Sequence, residues 1–202
     1  MDNIHTPDAQ TLPLDSDVER SSARPSIQSV QPVTEQQTGM RISVFGIGYV
    51  GAVSAACLAH DGNTVITVDP NPDKVRSIRE KASPILEPGL DKYIEDGVDS
   101  GRLTATQDAA AAIAGTDMSL VCVGTPSRPN GSLDISYVTR VAETIGTGLK
   151  AKSTFHVVVF RSTILPGTME QTVIPALERT SGLQAGVDFG VAYYPEFLRE
   201  ST

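Results

Sequence analysis

The sequence is poor in positive charge. Its 202 residues hold 16 Lys and Arg against 24 Asp and Glu, a net charge of −8. With a pI near 4.8, no basic stripe for nucleic acid and no polybasic membrane patch is present. No apolar run reaches transmembrane length, and the N-terminus has neither the apolar core of a signal peptide nor an Arg-rich amphipathic helix. The two cysteines, Cys57 and Cys122, are not spaced as metal ligands. Lying in a helical and a strand pattern respectively, both read as buried packing residues of a reduced, cytoplasmic protein. His5, His60 and His156 form no constellation and read as surface or edge residues. No metal site is expected, and no internal repeat is evident.

Residues 1–39 are of a different kind from the rest. They contain no aromatic residue, and six acids against two arginines supply half of the net charge. A stretch so rich in Ser, Gln, Pro, Asp and Thr cannot bury enough apolar surface to offset its ordering entropy, so a disordered leader is expected. Residues 40–202 suit one α/β domain.

That domain opens with Gly46-Ile47-Gly48-Tyr49-Val50-Gly51, three glycines that mean little alone and much in context. Arg41–Phe45 precedes them as a short β-branched and aromatic strand. Val50 to Leu58 follows with small and apolar residues at helical spacing, ended by Gly62. A second strand, Thr64–Val68, runs into Asp69, 18 positions after Gly51, about where the dinucleotide fingerprint places an acid for the adenosine ribose. In that fingerprint Gly46 permits the turn, Gly48 admits the pyrophosphate and Gly51 lets helix pack on strand. The helix start near Tyr49 turns free N–H groups toward the phosphates. A 2′-phosphate would meet the Asp69 carboxylate, and no arginine follows it at once, so NAD is favoured over NADP. The competing role for Asp69 is a helix-capping acid before Pro70.

Downstream, strand and helix signals alternate. Asn71-Pro72-Asp73 starts a helix running to about Lys81, and 83–90 form a proline-punctuated loop into a short helix. Arg102–Ala105 is a strand, Asp108–Ala114 a helix and Met118–Val123 a buried strand. A helix over 133–149, a strand over 155–160, a helix from Gly167 to about Glu178 and a strand over 190–193 complete the pattern. Polar clusters recur after strand ends, where an open parallel sheet binds ligands. The expected fold is a Rossmann-type, doubly wound α/β domain.

Four clusters, GIGYVG, SPILEPGL, VGTPSRPNGSLDISYV and RSTILPGT with YYPEFLRE, stand in an order and spacing that resembles the nucleotide-sugar dehydrogenases over residues 40–202. TPS followed by NGSLDISY, and FLREST, favour the family's GDP-mannose branch over its UDP-glucose branch. The resemblance implies NAD contacts at Tyr49, Val50, Asp69, Lys74, Thr125 and Thr163. It implies that Glu196 and Thr163 handle a water or proton. Phe197, Leu198, Glu196 and Glu200 would meet the sugar nucleotide. Read without the resemblance, Lys74 is a solvated helix lysine, the threonines are turn residues and the glutamates belong to an acidic loop.

The family oxidises a sugar C6 alcohol twice through a thiol-linked intermediate. Its nucleophilic cysteine, central helix and substrate domain lie beyond the position matching Thr202, so this stretch alone is expected to be inactive, a non-enzymatic NAD-binding module being the alternative. Family members oligomerise. Cys122, inside a buried strand without a neighbouring base, is not expected to act as the nucleophile. The family usually has Asn where Tyr194 stands here.

Overall fold

The computed structural model describes residues 39–197; the expected leader lies almost wholly outside them, as do Leu198 and Glu200. The elements follow the sequence pattern. β1 (Arg41–Phe45), α1 (Tyr49–His60), β2 (Thr64–Val68), α2 (Pro72–Arg79), α3 (Leu90–Asp99) and β3 (Leu103–Thr106) form the first half. α4 (Ala109–Ala114), β4 (Met118–Val121), α5 (Ser136–Leu149), β5 (Val157–Phe160), α6 (Ile174–Ser181) and β6 (Gly190–Tyr193) form the second.

All strand pairs are parallel, in the order β3-β2-β1-β4-β5-β6. This is the doubly wound arrangement, with its switch point between β1 and β4. Alternation along each strand divides the core. Ile42, Val44, Val65, Leu103 and Leu120 pack under α1, α2 and α3. Phe45, Val121, Val158 and Phe160 pack against α4, α5 and α6. Each layer buries apolar side chains, and at about 25 cal/mol per Å² such burial dominates the folding free energy.

Three local expectations are corrected. The helix expected from Gly167 to Glu178 begins instead as a π-helical turn, Met169–Val173, before α6 takes over. Pro175 has no N–H to donate and its ring crowds the carbonyl four residues back, so the wider turn relieves an α-helical clash. Cys57 is exposed. α1 buries Gly51, Ala52, Ala55, Ala56 and Ala59, and Cys57, 100° round from Ala56, falls off that stripe.

His156 is buried, with 1% exposure. Its Nε2 lies 2.8 Å from Ser119 Oγ and its Nδ1 3.2 Å from the Thr116 carbonyl. A carbonyl at Nδ1 requires the proton there, so the Ser119 hydroxyl donates to Nε2. Ser43 and Thr116 continue this chain beneath β1 and β4. Burial pushes the His156 pKa down to about 4. The Ser–His pair lines neither of the two clefts described below, and the partner at Nδ1 is a carbonyl where a catalytic triad would have a carboxylate. Its role is to satisfy buried polar groups.

Candidate functional site

The carboxyl ends of β1, β2 and β4 converge on a cavity of about 410 Å³ whose lining includes Gly46, Gly48, Asp69, Lys74, Cys122 and Gly124. Its floor is the glycine turn. Gly46 has φ +93°, a conformation that strains any side chain, and a Cβ there would stand a tight 3.0 Å from the Cys122 carbonyl oxygen. A Cβ on Gly51 would lie 1.8 Å from the Gly46 oxygen; only glycine lets α1 approach the turn this closely. At Gly48, by contrast, a Cβ would meet nothing within 4 Å. That position faces open cleft, at the N-terminus of a helix whose N-cap has no side chain to bond its first N–H groups. These are the features of a phosphate cradle.

Asp69 stands at the end of β2 with 6% exposure. Its Oδ2 accepts the Ile47 N–H at 2.8 Å and its Oδ1 the Asn71 N–H at 2.9 Å. The carboxylate is thus fixed to the turn on one side and to the start of α2 on the other. Asn71, not Asp69, caps α2. Each oxygen keeps acceptor capacity after these bonds. Lys74 Nζ lies 3.8 Å from Oδ2, close enough to balance the buried charge. Tyr49 lies outside the cavity lining and donates to Glu87 Oε2 at 2.8 Å, which ties the proline-punctuated loop to the turn. Val50 is half-buried and packs toward the α1 core layer.

A second group adjoins the first. Thr125 Oγ1 donates to the Thr163 carbonyl at 2.7 Å, and Thr163 Oγ1 donates to the Glu196 carbonyl at 2.7 Å. The ends of β4, β5 and β6 are therefore joined in series. Glu196, 8% exposed, is gripped by Arg161: Nε and Nη2 lie 2.7 and 2.6 Å from Oε2. Arg161 Nη1 also donates to Ser54 Oγ on α1 at 2.9 Å. Tyr194 lies under the guanidinium, 5.2 Å from ring centre to Cζ, so the residue that departs from the family's Asn has an aromatic–cation contact of its own.

Arg161 follows directly on the strand expected over 155–160, and no sequence pattern assigns it a role. Its partners are 35 and 107 residues away in the chain, and only the one-sided clustering of polar residues at strand ends hinted at it. Cys122 lines the cavity, and burial pushes its thiol up to about 12, which makes it a poor nucleophile. Phe197 is not brought to this cleft. It is 81% exposed and lines a separate apolar groove of about 680 Å³ beside Leu165 and Tyr193. Among the described residues no three His, Cys, Asp or Glu side chains gather to hold a metal ion, and no helix is long and apolar enough to cross a membrane.

Residues 40–202 match the family model of the NAD-binding domain of the UDP-glucose/GDP-mannose dehydrogenases. GDP-mannose 6-dehydrogenase of Pseudomonas savastanoi pv. phaseolicola is 53% identical over 163 residues, covering 81% of this chain and 37% of that protein. A UDP-glucose 6-dehydrogenase of Haloferax volcanii is 39% identical over the same shares. The crystal structure of a ternary complex of GDP-mannose dehydrogenase from Pseudomonas aeruginosa superposes with a TM-score of 0.79 at 52% identity, covering 80% of this chain and 37% of that one. A UDP-glucose dehydrogenase from the hyperthermophilic archaeon Pyrobaculum islandicum gives 0.76 at 41% identity, with 83% and 38% covered. This chain thus spans little more than a third of the relatives' length. The glycine cradle, the acid at the end of β2 and the match over the whole of 40–202 make the chain a member of the UDP-glucose/GDP-mannose dehydrogenase family, carrying its NAD-binding domain.

Proposed function

We propose that residues 40–202 form the cofactor domain of an NAD-dependent nucleotide-sugar 6-dehydrogenase acting in the cytoplasm, and that its sugar nucleotide is GDP-mannose, oxidised in two steps to GDP-mannuronate. The observation that carries the cofactor reading is the Asp69 carboxylate, fixed by two backbone N–H groups beside an open glycine turn. NAD, when bound, supplies the hydride acceptor. The chain's own residues do the positioning. The turn N–H groups at 48–51 take the pyrophosphate, and Gly48 leaves it room. Asp69 accepts from the adenosine ribose hydroxyls and Lys74 offsets the acid's charge. Thr125 and Thr163 donate their hydroxyl protons to carbonyls, which leaves their oxygens as acceptors for polar edges of the ligand.

Glu196, held in place by Arg161, handles a water or proton together with Thr163. Glu200, with Leu198 and Phe197, belongs to the sugar-nucleotide side. The GDP-mannose assignment is supported by relatives of that name at 52–53% identity against 39–40% for those named UDP-glucose 6-dehydrogenase. The thiol for the second oxidation comes from a part of the enzyme beyond this domain, because Cys122 is buried and held protonated. Residues 1–39 are a leader dispensable for folding. The test is NADH formation at 340 nm. The purified chain is expected to produce none from GDP-mannose or UDP-glucose. Fused to the remaining two thirds of a GDP-mannose relative, it is expected to turn over GDP-mannose. Steady NADH production by the chain alone, abolished by Cys122→Ser, would overturn the division of labour proposed here.

A further inference from the structure

Arg161 is the first residue past β5, and Tyr194 and Glu196 stand just past the end of the neighbouring β6. The three side chains leave the same end of the sheet and meet. Both Nε and Nη2 of Arg161 converge on one oxygen, Oε2 of Glu196, at 2.7 and 2.6 Å. Nη1 donates to Ser54 Oγ on α1, and Tyr194 covers one face of the guanidinium, its ring centre 5.2 Å from Cζ. The Glu196 main chain is fixed separately, because its carbonyl accepts from Thr163 Oγ1. The Arg161 and Glu196 side chains are 21% and 10% exposed. Cys122, which lines the cofactor cavity, lies within electrostatic reach of both charges, so the pair adjoins the cavity wall.

We propose that Arg161 and Tyr194 are positioning residues for the dehydrogenation: together they set the orientation in which the Glu196 carboxylate meets a water or proton. The inference rests on the role given to Glu196 above and deepens it. Taking two charges out of water costs several kcal/mol, and the pairing that offsets this seldom adds net stability. What such a pair supplies is geometry. A glutamate side chain turns about several bonds, and two N–H groups on one of its oxygens hold it in one arrangement. The Ser54 contact keeps the guanidinium from following the carboxylate and ties both to the helix that opens at the glycine turn. The Tyr194 ring blocks movement normal to the guanidinium plane and is attracted to its charge. A lysine cannot replace this fork, since an ammonium has no plane to offer a ring and two acceptors at once.

The experiment measures kcat and KM for GDP-mannose in the chain fused to the remaining two thirds of a GDP-mannose relative. Arginine side-chain nitrogen NMR and thermal midpoints are recorded on the unfused chain. In the wild-type chain the Arg161 Nε–H is expected to give a resolved signal that exchanges slowly with solvent. Arg161→Lys and Arg161→Gln are expected to lower kcat by about 10- to 100-fold while KM stays within about threefold. Tyr194→Asn should lower kcat by about 2- to 5-fold and speed the Nε–H exchange; Tyr194→Phe, which keeps the ring, should restore both. Tyr194 is 58% exposed, so its variants should fold with midpoints near wild type and decide the matter even if an Arg161 variant does not fold. Unchanged kcat in well-folded variants of an active fusion would overturn the proposal and leave the cofactor reading intact. A rise in KM at constant kcat would also overturn it, assigning Arg161 to substrate binding. Fast exchange of the Arg161 Nε–H in the wild-type chain would overturn the clamp itself. A wild-type fusion that forms no NADH would overturn the dehydrogenase reading and this inference with it.

Discussion

Gly48→Ala separates binding from folding at the glycine turn. The residue occupies ordinary extended backbone, φ −87° and ψ −164°, so alanine enters it without strain. Nothing lies within 4 Å of the added Cβ, so the folded chain meets no clash. Alanine is a poorer N-cap than glycine by several tenths of a kcal/mol, but it also removes about 0.4–1 kcal/mol of unfolded-state entropy. The two nearly cancel, and at roughly 2–4 °C per kcal/mol the thermal midpoint should move by less than about 3 °C. Binding is different, because the methyl group projects into the space where the pyrophosphate must approach the backbone. Moving the phosphates outward by the width of a methyl lengthens at least two N–H···O contacts to a charged group. At about 1.5–3 kcal/mol each, NAD affinity should fall by roughly 100-fold or more. Calorimetry with NAD and a thermal melt on the same preparation measure both effects. NAD binding within threefold of wild type in a well-folded Gly48→Ala variant would refute the reasoning.

The neighbouring glycine should behave in the opposite sense: Gly51→Ala places Cβ 1.8 Å from a backbone oxygen and should cost about 3 kcal/mol or more, seen as a large drop in urea midpoint. His156 links stability to pH. Its folded pKa of about 4 lies below the unfolded value of 6.5, so its contribution is fully present above pH 6.5 and is lost progressively as pH falls to 4. That loss amounts to about 3 kcal/mol, and His156→Gln should flatten this part of the urea-midpoint profile relative to wild type; identical profiles would count against it. Thiol labelling of the native chain should modify the exposed Cys57 quickly and spare Cys122, whose thiol is pushed up to about 12, with two thiols reacting after unfolding. Rapid loss of both in native buffer would contradict the placement of Cys122.

The parallel sheet and the turn were legible because their signals are local. A β-branched run, three glycines, a small-residue helix and an acid at the right interval sit within residues 41–69, and the observed β1, α1 and β2 agree with them. What escaped was set by partners distant in sequence. Arg161 is an unremarkable arginine until the fold brings Ser54 and Glu196 to it. His156 reads as an edge residue in the sequence because the groups that satisfy it, the Ser119 hydroxyl on β4 and the Thr116 carbonyl just before that strand, lie 37 and 40 residues away. Cys57 falls one helical step off the buried stripe of α1, and a helix rich in alanine does not announce which face is buried. The π-helical turn before α6 carried a readable warning in Pro175.

The central claim is that this chain's own cleft selects NAD through Asp69. Titration of the purified chain with NAD and with NADP tests it most directly. The account predicts NAD binding, with NADP at least about tenfold weaker because its 2′-phosphate would face a buried carboxylate, and near-complete loss of that preference in Asp69→Ala. Equal affinity for the two cofactors, or NAD binding untouched by Asp69→Ala, would contradict it.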